Sequence, residues 1–237
     1  MRIDKLLANS TPLGRKEIKQ YIRKGQVRCN DKVITDPGTH VDENNDEITM
    51  NGERVTYSKY TYLMLNKPDG YISATFDKHY PVVTELVPEE FSHVELFPVG
   101  RLDIDTHGLL LLTNNGDLAH RLLSPKSQVP KTYFVKSAKP VDDADVETFA
   151  KGIELEPDFT TLPAKLEPIA DDKLTSHVTI YEGKFHQVKR MFEAIDNEVL
   201  YLKRLSMGSL ALDETLSEGE CRPLTEDEIS DLIQGLS

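Results

Sequence analysis

The spacing of apolar positions changes several times along the chain. Ile3, Leu6 and Leu7 keep helical spacing, and so do Ile18, Tyr21 and Ile22 within residues 14–24; two short amphipathic helices are expected. Gly25 is placed to end the second as a left-handed cap. Residues 27–34 then read as two short strands about an Asn30-Asp31 turn. Asp36-Pro37-Gly38 breaks the chain before the next apolar positions, Ile48 and Met50, and the polar residues 52–60 read as a linker.

Beyond the linker the pattern becomes richer in strands. Tyr62-Leu63-Met64-Leu65 runs into a Pro68-Asp69-Gly70 turn. Gly108 leads four consecutive leucines, 109–112, bounded by Thr113-Asn114-Asn115-Gly116; so short an apolar run between turn signals predicts a buried strand. A short helix follows at residues 117–123, stopped by Ser124-Pro125. Residues 131–136 alternate as a strand with Lys131, Tyr133 and Val135 on one face, and 142–150 form an acid-started helix closed at Gly152. Strands are expected at 164–169, 177–181 and 199–205. Between the last two, residues 185–195 place Phe185, Val188, Met191, Phe192 and Ile195 on one buried helical stripe. Thr225-Glu226-Asp227-Glu228 is a capping box for a last helix ending near Gly235.

This order predicts an α+β protein: a small module over 1–57, and a domain over 61–237 with a mixed or antiparallel sheet flanked by helices. No Gly-rich phosphate loop, dinucleotide fingerprint or repeat period is present.

A chain of 237 residues suits one or two domains. It contains no run of apolar residues long enough for a membrane span and no apolar signal core behind Met1. Cys29 and Cys221 lie too far apart for a metal motif, which fits a reduced, cytoplasmic protein. The net charge of -12 speaks against a nucleic-acid partner until its distribution is considered. Residues 1–35 carry nine basic side chains against three acidic ones, whereas in 213–237 only Arg222 opposes eight acids. Arg15, Lys16, Lys19 and Arg23 share the polar side of the second helix. A basic head of this kind suits docking on RNA through part of the surface.

The candidate chemistry centres on Gly100-Arg101-Leu102-Asp103, just ahead of the buried leucine strand. An Asp at such a place is usually a turn residue, but three other motifs accompany it: Lys67-Pro68-Asp69-Gly70, Lys131-Thr132-Tyr133, and the run from Glu182-Gly183-Lys184 through Phe185-His186-Gln187-Val188-Lys189-Arg190-Met191. Together and in this order they resemble the motifs of pseudouridine synthases, most closely those of the RsuA type. Residues 1–57, with Arg2, Lys5 and the 14–23 helix, resemble the S-four-type RNA-binding module.

The resemblance implies an isomerase that converts a uridine of 16S ribosomal RNA to pseudouridine, acting as a monomer and without cofactor or metal. It implies Asp103 as nucleophile, Lys189 as the cation beside it and Tyr133 as the active-site aromatic. Arg101 would fill the space of a swung-out base or hold phosphate. Lys67, Arg2, Lys5, Arg15, Lys16, Lys19 and Arg23 would contact the RNA. His186 is expected to be a structural hydrogen-bonding group. Alternatives are a 23S ribosomal RNA target, or an RNA-binding assembly factor without catalysis. A glycosidase pair of Asp103 and Asp105 is disfavoured, because no aromatic sugar platform accompanies it and Trp is absent.

Overall fold

The computed structural model describes residues 1–169 and 171–236. The chain divides into two compact units, Met1–Thr61 with Val87–Glu95, and Tyr62–Leu86 with Leu96–Ser237.

In the first unit, helices α1 (Ile3–Ser10) and α2 (Arg15–Arg23) precede strands β1 (Val27–Cys29), β2 (Lys32–Ile34), β3 (Ile48–Met50) and β4 (Glu53–Val55). The strands form an antiparallel sheet in the order β2-β1-β3-β4. Ile3, Leu6, Leu7, Ile18 and Ile22 meet Val27, Val41 and Ile48 in one buried core, which is the apolar stripe the helical spacing predicts. The β1–β2 turn has both Asn30 and Asp31 at positive φ, 47° and 64°, as a two-residue hairpin with right-handed twist requires.

Two expectations need correction here. Residues 53–55 are not linker: the chain turns through Asn51 and Gly52, at φ 55° and 85°, and pairs β4 with β3. Residues 87–95, expected in the second domain, cluster with the first unit, where a ring nitrogen of His93 lies 3.2 Å from the Asn9 carbonyl oxygen.

The second unit contains β5 (Tyr62–Lys67), β6 (Phe97–Pro98), β7 (His107–Thr113), α3 (Gly116–Leu123), β8 (Lys131–Ser137), α4 (Asp143–Lys151), β9 (Glu154–Glu156) and β10 (Phe159–Thr160). It continues with β11 (Lys165–Pro168), β12 (Thr175–Ile180), α5 (Gln187–Ala194), β13 (Val199–Met207), β14 (Leu210–Ala211), β15 (Cys221–Pro223) and α6 (Glu226–Gln234). One large sheet runs β11-β12-β8-β13-β7-β5-β15, with β14 on β13 and β6 on β7. Every pairing in it is antiparallel except β13 with β7, which is parallel and registers only Lys203 with His107 and Arg204 with Gly108. The sheet is therefore mixed. β5 is buried along its whole length, and β7 from Gly108 on; their unbroken apolar runs follow from covering on both faces.

Helix α5 buries Val188, Met191 and Phe192, and Phe192 meets Phe149 of α4 edge to face at 5.4 Å between ring centroids. Phe185 is not part of that stripe. It is 75% exposed, because α5 begins only at Gln187 and His186 before it is left-handed, at φ 49°. No described helix is long and apolar enough to cross a membrane.

Candidate active site

Asp103 sits on the loop that enters β7, and the end of β5 holds that loop from several sides. The Lys67 ammonium donates to the carbonyl oxygens of Pro68, Ile104 and Thr106 at 2.9, 3.0 and 2.8 Å. The Ser73 hydroxyl donates to the Leu102 carbonyl at 3.0 Å and accepts from the Leu102 amide at 2.9 Å. The Gly70 amide reaches the Ile104 carbonyl, and the Thr106 amide closes back on Asp103 O. Leu102 is buried beneath the loop. A reactive carboxylate on a loop needs support of this kind to be held in place.

Lys67 therefore does not contact RNA as expected. It is fully buried and its three protons serve backbone oxygens. Burial pushes its amine down to about 8, against the opposing pull of Asp69, Asp105, Asp103 and Glu218. We expect Lys67→Met, which keeps the volume but strands those carbonyls, to lower unfolding stability by about 2–3 kcal/mol in urea titrations. The sign of its pH dependence follows from the lowered value. Between about 8 and the ordinary 10.5 the unfolded chain holds a proton that the folded one has released, so native stability gains as pH rises. The penalty should thus be larger at pH 10 than at pH 7.

Four side chains converge above the loop. Lys189 Nζ, from α5, lies 3.3 Å from Asp103 Oδ2 and 2.7 Å from Asp105 Oδ1. His186 Nε2 lies 3.5 Å from Asp103 Oδ1. The expected partner of Lys189 is Asp103; it pairs with that carboxylate and also with Asp105, to which it is closer. Burial works against the charge on Lys189, but the two carboxylates outweigh it and raise its pKa above 10.5. Burial likewise opposes the charge on Asp105, and Lys189 holds it below the usual carboxylate range. Lys189 thus adds stability that is lost only as pH climbs through its raised value, and Asp105 stability lost only as pH falls through its lowered one. The Lys189–Asp105 pair stays ionised across the neutral range. His186 faces Asp103 directly, a contact that its sequence neighbours do not announce.

Tyr133 is buried on β8. The pairings place it in a row across the sheet, Val178–Tyr133–Arg204–Gly108–Lys67. Partners directly opposite each other present their side chains to the same face, so Tyr133 shares the face from which Lys67 grips the Asp103 loop. Arg204, between Tyr133 and Gly108 in that row, is a buried cation that sequence reasoning misses. It is 2% exposed, its Nε donates to the Leu109 carbonyl at 2.8 Å, and one terminal nitrogen has no partner among the described residues. A lone Arg in an alternating strand gives no signal of this; only the β13–β7 pairing does. Burial, helped by the nearby Arg204 and opposed by Glu182, lowers the Lys131 amine to about 8. Arg101 is exposed beside the loop.

The basic residues of the first unit lie elsewhere in the chain. Lys5, Arg15, Lys16, Lys19 and Arg23 are all exposed. Arg2 is exposed too, but Asp4 clasps its guanidinium through two bonds of 3.0 and 2.8 Å.

A carboxylate paired with an ammonium, with a buried phenol on the same sheet face, suits covalent or electrostatic work on a sugar or base. Comparison with known proteins agrees in class. Residues 61–194 match the RNA pseudouridylate synthase family and residues 1–48 the S4 domain. The chain belongs to the RNA pseudouridylate synthase family, with an S4 domain at its N-terminal end. Over 231 residues, 97% of each chain, it is 48% identical to an uncharacterised RNA pseudouridine synthase of Bacillus subtilis. It is 40% identical to ribosomal small subunit pseudouridine synthase A of Haemophilus influenzae, covering 99% of this chain and 100% of that one. A crystal structure of a pseudouridylate synthase, 40% identical, superposes with a TM-score of 0.69 over 98% of this chain and 99% of the other.

Proposed function

We propose that this enzyme converts a uridine of 16S ribosomal RNA to pseudouridine, with Asp103 as nucleophile and no cofactor. The observation that carries the reading is Asp103 on its clamped loop, 3.3 Å from Lys189; the small-subunit target rests on the names of full-length relatives near 40% identity. Uridine 516 is the expected position. In the net reaction the C1′–N1 bond breaks, a C1′–C5 bond forms, C5 gives up a proton and N1 gains one, so no hydride carrier or energy source is required. Lys189 pairs with Asp103 and orients its carboxylate toward the substrate. Tyr133 stacks on the detached uracil, and its hydroxyl moves a proton. Arg101 fills the space vacated when the uridine swings out, or holds phosphate there. Lys5 and the α2 cations dock on phosphates; Arg2 contributes less, because Asp4 already neutralises it.

The test is to map pseudouridines in both ribosomal subunits of cells with and without the protein. Loss of a single site in 16S RNA is expected; a missing site in 23S RNA, or none in either, overturns the assignment. For the docking role, changing Arg15, Lys16, Lys19 and Arg23 together to Gln should flatten the slope of log binding constant against log salt by about 3, since each phosphate that is no longer neutralised removes about 0.7–0.9. An unchanged slope would remove the α2 face from the RNA interface.

A further inference from the structure

Phe185 is out of place by the logic of its own sequence. Helical spacing assigns it to the stripe of Val188, Met191 and Phe192, where it would be buried, yet it stands 75% exposed. The cause is local. His186 adopts φ 49° and ψ 31°, a left-handed conformation costly for a residue with a Cβ, and this turns Phe185 off the helix. A chain that both strains its backbone and exposes a phenyl ring departs from its own pattern, and such departures concentrate at functional sites.

The surroundings say what the ring is for. Phe185 lies flat on the His186 imidazole, with centroids 3.7 Å apart and planes 18° from parallel. The edge of the same imidazole faces Asp103, with Nε2 3.5 Å from Oδ1. The phenyl ring is therefore one side chain away from the carboxylate. Cations are supplied by the same segment: Lys189 pairs with the Asp103 that His186 faces, and Lys184, next to Phe185 in the chain, stands 5.2 Å over the Phe159 ring. An open aromatic face beside cations is how proteins hold unpaired nucleobases.

We propose that the Phe185–His186 stack is a platform for an RNA base adjacent to the uridine presented to Asp103. This rests on the reading of Asp103 as the site of RNA chemistry, and it adds a subsite for a neighbouring nucleotide. The platform takes any base by its π-face, so it favours affinity for an unstacked segment rather than a particular letter. His186 serves it twice, supporting the phenyl from below and fixing its distance from Asp103.

The chain has no Trp, so Phe185→Trp installs a single reporter. It should be titrated with a 16S ribosomal RNA transcript while filter binding records complex formation. Fluorescence of the bound form should fall by about half or more, whereas Leu200→Trp, at an exposed position on β13, should stay nearly constant. Phe185→Ala should lower kcat/KM by about ten-fold or more through KM, and Phe185→Tyr, which keeps the ring, should restore most of it. Wild-type kcat/KM in the alanine variant, or unquenched indole fluorescence from bound Phe185→Trp, overturns the platform. The two readings fail separately. Quenching that persists when Asp103→Asn still makes product supports the platform and removes the nucleophile. Loss of product in Asp103→Asn with no quenching at position 185 does the reverse.

Discussion

Asp103→Asn is expected to abolish pseudouridine formation, by about 10⁴-fold or more, while leaving RNA affinity within about two-fold. The amide occupies the volume of the carboxylate, so the clamps on the loop, which are made to backbone atoms and to Leu102, remain. What disappears is the charge that the proposed mechanism needs, and with it the nucleophile. A loss of about 10⁴ corresponds to about 5.5 kcal/mol of transition-state stabilisation. Tritium release from uridine-labelled ribosomal RNA measures it directly. Normal turnover by the variant would remove Asp103 from the chemistry.

Gly108→Ala is expected to cost more than about 4 kcal/mol and to leave little folded protein. Gly108 has φ 96°, and an added Cβ would meet the Arg204 carbonyl oxygen at 2.3 Å and the Arg204 amide at 2.9 Å. Both are main-chain atoms of the neighbouring strand and cannot swing aside. Gly116→Ala is the control, since nothing lies within 4 Å of its Cβ position and its φ is not positive; its stability should change by less than about 0.5 kcal/mol. Thermal melts followed by circular dichroism compare the two. A Gly108→Ala protein that melts like the wild type would mean β7 and β13 do not approach as described.

Much of the fold is written locally. The Asn30-Asp31 hairpin, the leucine strand and the Thr225 capping box are each specified by residues adjacent in sequence, and the structure has them at β1–β2, β7 and α6. β4 has a local signal too, since Asn51-Gly52 is a strong hairpin dipeptide, but its single apolar residue, Val55, hides the strand. β15 reads Cys221-Arg222-Pro223, and proline argues against a strand except at a sheet edge, where β15 lies. Edge position is a property of the whole sheet, and no local window contains it.

At the site, residue types are legible and partners are not. Asp103 and Asp105, two apart on an extended loop, are expected to share a side; that both converge on Lys189 depends on α5 crossing 84 residues later. Lys67 looks like a surface cation because a strand-end lysine usually is one. Only the path of the 102–106 loop around it makes it a buried clamp. Phe185 misleads for a different reason: periodicity assumes the helix has already begun, and a left-handed residue at 186 cancels the register.

The large sheet consists of two antiparallel blocks, β11-β12-β8-β13 and β7-β5-β15, joined through two registered residue pairs. Asp103 leads into the second block, whereas Tyr133 is carried by the first and Lys189 by the helix just before β13. The constellation proposed for the reaction thus straddles a narrow suture. Slight parting there would disarm the enzyme while both blocks stayed folded, so activity should be lost on heating before the bulk of the helix and strand signal.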